Sequence, residues 1–108
     1  MKTKLASILV LLLTCALFAS FSVIKHDTQK PFVVVLDAGH GGKDSGNIGN
    51  GFVEKDIVLD VTLQIGKILE KVPGIKVVYT RKTDVLIDLY RRGPIANEVD
   101  ADIFVSIH

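Results

Sequence analysis

Three residues of this sequence carry chemistry that a fold could bring to one point. They are His40, inside the stretch Asp37-Ala38-Gly39-His40-Gly41-Gly42-Lys43-Asp44-Ser45-Gly46; Glu54; and His108. A catalytic zinc site takes three protein ligands, commonly from His, Glu or Asp, and keeps a fourth position open for water. Two imidazoles and one carboxylate make such a set. The glycines around His40 then have a purpose, because a loop that turns sharply off a strand and brings its backbone close to a metal has no room for bulky Cβ substituents. Asp37, three residues before His40, is expected either to accept an imidazole N–H and fix its tautomer or to cap the turn. Taken singly, each residue also has a plainer reading. A histidine after a strand is a structural or surface group, Glu54 is a charge favourable to a helix start, and Asp37 and Asp44 are turn formers.

A glycine-rich turn between strand and helix also suggests phosphate binding, and the spacing tests it. The dinucleotide pattern G-x-G-x-x-G fails from Gly39, where Asp44 occupies the last position, and from Gly46, where Ile48 stands third. The P-loop pattern fails because Asp37 stands where its first glycine should precede Gly42-Lys43.

These residues need elements to position them. Phe32 to Leu36 is a continuous apolar run ahead of the glycines, as expected of a strand covered on both faces. Ile57, Val61, Ile65 and Ile68 or Leu69 recur at intervals of three and four, predicting an amphipathic helix over roughly 55–70 that ends at Pro73-Gly74. Lys76 to Thr80 reads as a second strand and Ala101 to Ile107 as a third. Between them Asp88 to Val99 has helical spacing interrupted by Gly93-Pro94, so the helix either starts anew at Pro94 or is kinked there. Strand, helix, strand, helix, strand predicts an α/β fold with a mostly parallel sheet and flanking helices. Ligands on such sheets gather beyond the carboxyl ends of the strands, where His40 and His108 both fall.

The chain has 108 residues, which allows one domain at most. Its opening reads as a secretory signal peptide over residues 1–22: Lys2 and Lys4, an apolar run from Leu5 to Ala19, then small residues at Ala19, Ser20 and Ser22. Two rival readings of this segment are an uncleaved anchor continuing through Ile24 and a lipoprotein acylation box at Leu12-Leu13-Thr14-Cys15. Residues 23–31 read as a polar spacer, with His26 solvated, and 32–108 as the folded part. Cys15 is the sole cysteine, so removal of the leader beyond it leaves a core or a metal, rather than a disulfide, to hold the exported chain. Losing Lys2 and Lys4 leaves 11 basic residues against 12 acidic, which gives no nucleic-acid surface. The last residues, Val105-Ser106-Ile107-His108, fall inside an apolar strand pattern without a turn or cap, so the chain is expected to be a truncated piece.

Five motifs in order closely resemble the zinc-dependent N-acetylmuramoyl-L-alanine amidases. They are Asp37-Ala38-Gly39-His40-Gly41-Gly42-Lys43-Asp44-x-Gly46, Glu54-Lys55-Asp56, Thr80-Arg81-x-x-Asp84, Arg92-x-x-x-Ala96-Asn97, and Ala101 through His108. The resemblance implies a phosphorylase/hydrolase-like α/β domain, present here as its N-terminal half, with Zn2+ held by His40, Glu54 and His108. The implied reaction is hydrolysis of the amide joining N-acetylmuramic acid to L-alanine in peptidoglycan, a substrate outside the cytoplasm. The family's proton-carrying glutamate is expected downstream of residue 108, so the 108-residue piece is expected to be inactive. Arg81, Asp84, Arg92 and Asn97 match family positions and are read as salt bridges and caps around the loops. Two rival functions are a non-catalytic peptidoglycan-binding or regulatory relative, and a zinc hydrolase of another amide.

Overall fold

The computed structural model describes residues 30–108. The leader, its anchor and acylation alternatives, Cys15, His26 and the spacer before Lys30 lie outside the described residues. Among the described residues no helix is long and apolar enough to cross a membrane.

The apolar run forms β1 (Phe32–Ala38). Two short strands follow, β2 (Ile48–Gly49) and β3 (Phe52–Val53), then helix α1 (Glu54–Leu69), β4 (Ile75–Tyr79), α2 (Leu89–Glu98) and β5 (Ile103–Ile107). The sheet order is β4-β1-β5, with β1 parallel to both neighbours. A central strand must be apolar on both faces, and Val33, Val34, Val35, Leu36 and Ala38 are all buried. Each large aliphatic side chain removed from water here contributes about 1.5–3 kcal/mol.

Helix α1 has the predicted span, but the face against the sheet is rotated from the predicted stripe, with Ile65 and Leu69 half-buried at its margin. Val58, Thr62 and Gly66 are buried, whereas Ile57, Val61 and Ile68 are exposed. The reason is close approach, since a Cβ on Gly66 would collide with the Tyr79 hydroxyl on β4. Small residues therefore mark the contact line, and a count of apolar positions misses it. Thr62 is accommodated there by donating its hydroxyl to the Val58 carbonyl at 2.6 Å.

Helix α2 runs through Gly93-Pro94 without restarting, with Pro94 inside it. A residue before proline is normally driven from helical geometry by a clash involving its Cβ, and Gly93 has none. The helix ends in a Schellman arrangement: Ala101 N–H donates to the Ala96 carbonyl (3.0 Å) and Asp100 N–H to the Asn97 carbonyl (3.2 Å), with Asp100 at φ 56°. This reversal feeds the chain into β5, which carries His108 at its end.

Strands β2 and β3 form an antiparallel hairpin around Asn50 (φ 51°) and Gly51 (φ 81°). Two consecutive positive φ angles define a type I′ turn, for which Asn-Gly is the preferred pair.

Candidate metal centre

The carboxyl end of β1 delivers His40, the start of α1 delivers Glu54, and the end of β5 delivers His108. The structure brings all three together. His40 Nε2 lies 3.0 Å from Glu54 Oε1, His108 Nδ1 lies 3.6 Å from the same oxygen, and the two ring nitrogens are 3.2 Å apart. Four ligands about 2.0–2.1 Å from a tetrahedral zinc ion are separated by about 3.3 Å. The three observed separations straddle that value, so the donor set fits the ion in chemistry and in spacing.

Two glycines make the convergence sterically possible. A Cβ on Gly39 would stand 2.6 Å from His108 Nδ1, and one on Gly46 would stand 2.6 Å from His40 Cδ2 and 2.8 Å from Glu54 Oε2. Gly46 also holds φ at 64°, where a side chain is strained.

The helix start is held without a side-chain cap. The first amides of a helix lack intrahelical partners; here Glu54 N–H donates to the Asn47 carbonyl (2.9 Å) and Lys55 N–H to the Ser45 carbonyl (3.1 Å). The Asn47 amide in turn donates to Glu54 Oε2 at 2.8 Å, leaving Oε1 to face the imidazoles. That amide bond, followed by the His40 and His108 rings, holds the Glu54 carboxyl below its usual pKa.

Asp37 does not reach an imidazole. It is 2% exposed and accepts from Thr80 Oγ1, Arg92 Nη1 and Ser106 Oγ, each at 2.7 Å. A carboxylate at an inward position of a central strand sits under the sheet's end, not beside a side chain that has already left it. Burial opposes its ionisation, but the bonds from Ser106, Thr80 and Arg92 outweigh burial and hold its pKa below the ordinary value. The outer-shell contact belongs to Asp44, whose Oδ2 lies 2.9 Å from His40 Nδ1. An Asx-type bond from Gly46 N–H to Asp44 Oδ1 (3.1 Å) orients that carboxylate. The Asp44 bond, then the Asp44 and Glu54 charges, raise the His40 pKa against partial burial. The i, i+4 spacing of His40 and Asp44 was the available signal, and it is ambiguous outside a helix.

Asp84, Lys55, Arg92 and Arg81 brace the glycine loop, whereas Asn97 accepts at the end of α2 through its carbonyl. Asp84 accepts from the Gly42 amide (2.7 Å) and from Lys55 Nζ (2.6 Å), and Lys55 also donates to the Gly42 carbonyl (3.0 Å). Arg92 pairs with Asp37. Arg81 faces four carbonyls rather than a salt-bridge partner, so the expectation of an ion pair is corrected there. A carbonyl-lined turn offers its oxygens inward, and only a multidentate donor satisfies several of them.

A family model described as N-acetylmuramoyl-L-alanine amidase matches residues 34–108. The chain is 49% identical over 76 residues to the endolysin of Bacillus phage SPP1, covering 70% of this chain and 28% of the endolysin. It is 42% identical over 85 residues to the N-acetylmuramoyl-L-alanine amidase AmiC of Escherichia coli O6:H1, covering 78% and 20% respectively. Among solved structures, that of N-acetylmuramoyl-L-alanine amidase from Clostridium difficile 630 superposes with a TM-score of 0.71 at 37% identity, over 73% of this chain and 44% of that one. The chain thus spans about a quarter of the length of these two relatives and under half of the solved structure. With the order of its motifs, its parallel sheet and its family match in agreement, the chain belongs to the N-acetylmuramoyl-L-alanine amidase family.

Proposed function

We propose that the complete protein is a zinc-dependent hydrolase of the amide between N-acetylmuramic acid and L-alanine in peptidoglycan, with His40, Glu54 and His108 as its metal ligands. The observation that carries this reading is the triangle of donor atoms at 3.0, 3.2 and 3.6 Å. Bound there, zinc would lower the pKa of a water molecule and polarise the scissile carbonyl. His40 presents Nε2 while Asp44 holds Nδ1, which selects the tautomer able to ligate. Glu54, kept ionised by the Asn47 amide and the imidazoles, is suited to hold a cation and unsuited to carry a proton. That task falls to a glutamate following His108 in the complete protein.

The substrate lies outside the cytoplasm, and export is part of the same reading. Residues 1–22 act as the leader, 23–31 as the spacer, and 32–108 as the amino-terminal part of the catalytic domain.

Product analysis tests the proposal. Purified peptidoglycan digested with the full-length protein should yield free L-alanine amino termini. Their absence from a zinc-loaded preparation would end the claim, pointing to another amide as substrate or to a binding role without catalysis.

Asp44→Ala is expected to weaken zinc binding about 10–100-fold, the usual effect of losing an outer-shell partner. Asp44→Asn, which retains an accepting oxygen, should lose less. Chelator competition on the full-length protein measures both, and unchanged affinity in Asp44→Ala would remove Asp44 from the support of His40.

A further inference from the structure

Three successive carbonyls at the end of β1, those of Ala38, Gly39 and His40, turn towards two buried guanidiniums. Arg81 is 3% exposed and Arg92 is 8% exposed. Arg92 donates from Nη1 to Asp37 Oδ1 (2.7 Å) and the Ala38 carbonyl (2.8 Å), from Nη2 to the His40 carbonyl (3.0 Å), and from Nε to the Ile87 carbonyl (3.1 Å). Arg81 donates from Nε to the Ala38 carbonyl (3.0 Å), from Nη2 to the carbonyls of Gly39 (2.7 Å) and Lys55 (2.9 Å), and from Nη1 to the Thr83 carbonyl (3.1 Å). Seven of these eight bonds end on backbone carbonyls, with Ala38 accepting from both arginines, and one ends on a carboxylate, so charge neutralisation does not explain two arginines here.

What the carbonyls of Ala38, Gly39 and His40 share is their position. They belong to the turn in which His40 adopts φ 57°, a left-handed conformation that a residue with a side chain avoids unless its surroundings impose it. Arg92 grips the far side of that residue through its carbonyl, and Arg81 grips the residue before it. Arg81 also reaches the carbonyl of Lys55, next to Glu54 on the first turn of α1. One guanidinium therefore ties the backbone beside the first candidate ligand, at Gly39, to that beside the second, at Lys55.

We propose that Arg81 and Arg92 are positioning residues for the metal centre, fixing the left-handed turn at His40 and its distance from the α1 start. This rests on the reading of His40, Glu54 and His108 as metal ligands. Lysine cannot replace either arginine, because a single ammonium on a flexible stem does not span several carbonyls in a fixed fork.

The test uses the full-length protein with Arg81→Lys, Arg92→Lys and, as a control for lost stability, Val33→Ala at the opposite end of β1. Zinc affinity is measured by chelator competition well below each melting temperature, and cobalt(II)-substituted samples report ligand geometry through their visible spectra. The arginine variants should bind zinc about 10–100-fold more weakly, the range typical of groups that orient a ligand, with altered cobalt bands. Val33→Ala should melt earlier yet keep wild-type affinity and spectrum. Arginine variants that lose only thermal stability, or that fail to fold, would assign the pair to the fold alone and overturn the proposal. Wild-type protein without zinc affinity would instead overturn the metal reading on which it rests.

Discussion

Glu54→Ala should strip the full-length protein of zinc and of peptidoglycan hydrolysis while leaving it folded. The side chain supplies the one anionic donor of the triangle, and its Oε1 is within 3.6 Å of both ring nitrogens. Two imidazoles alone make a poor site for a divalent ion that normally takes three protein ligands. The fold has less at stake. Glu54 sits in the first turn of α1, where a carboxylate contributes only modestly through the helix dipole, and the helix amides bond to the carbonyls of Asn47 and Ser45, which the substitution does not touch. Metal analysis after dialysis, beside a thermal melt, reads both consequences. Glu54→Gln, which keeps shape but not charge, should also lose most of the metal. A Glu54→Ala protein with undiminished zinc would remove Glu54 from the ligand set.

The distribution of what the sequence revealed follows physical lines. Strand β1 was legible because burial on both faces writes an unbroken apolar run, and β4 and β5 were legible from the same patterning to within two residues. The convergence of His40, Glu54 and His108 was legible because strand ends and a helix start are the places where side chains of a parallel sheet converge. The buried face of α1 was not, since its contact line is set by the absence of a side chain at Gly66 and by an internally satisfied Thr62. The histidine contact expected of Asp37 falls to Asp44 for a similar reason. Both are aspartates near His40, and only the fold shows that one points beneath the sheet to Thr80, Arg92 and Ser106 while the other folds back along the loop. The β2–β3 hairpin had its signal in Asn50-Gly51, but flanking strands of two residues each give no period to read. The arginines matched motif positions without disclosing their partners, because backbone carbonyls leave no trace in the sequence.

Gly39→Ala should separate metal binding from stability more cleanly than a change at any ligand. Gly39 lies outside the left-handed region, so alanine meets no backbone strain there, unlike a substitution at Gly46 with φ 64°. Its new methyl would stand 2.6 Å from His108 Nδ1 and 2.8 Å from His108 Nε2, closer than real contacts allow. The obstructing atoms are the end of a side chain that can rotate, so relief comes from swinging the imidazole away and not from moving β1. One of the three proposed ligands would thereby be displaced while the sheet register, set by pairs such as Ala38 with Ile107, stays as it was. Zinc affinity should fall by more than the roughly 10–100-fold that outer-shell changes cost, and hydrolysis should fall with it. The melting temperature of the metal-free protein should stay close to that of metal-free wild type. Full zinc affinity in Gly39→Ala would mean that His108 does not ligate from the position seen against Gly39. A large loss of apo stability would mean that β1, and not the imidazole, yields to the methyl.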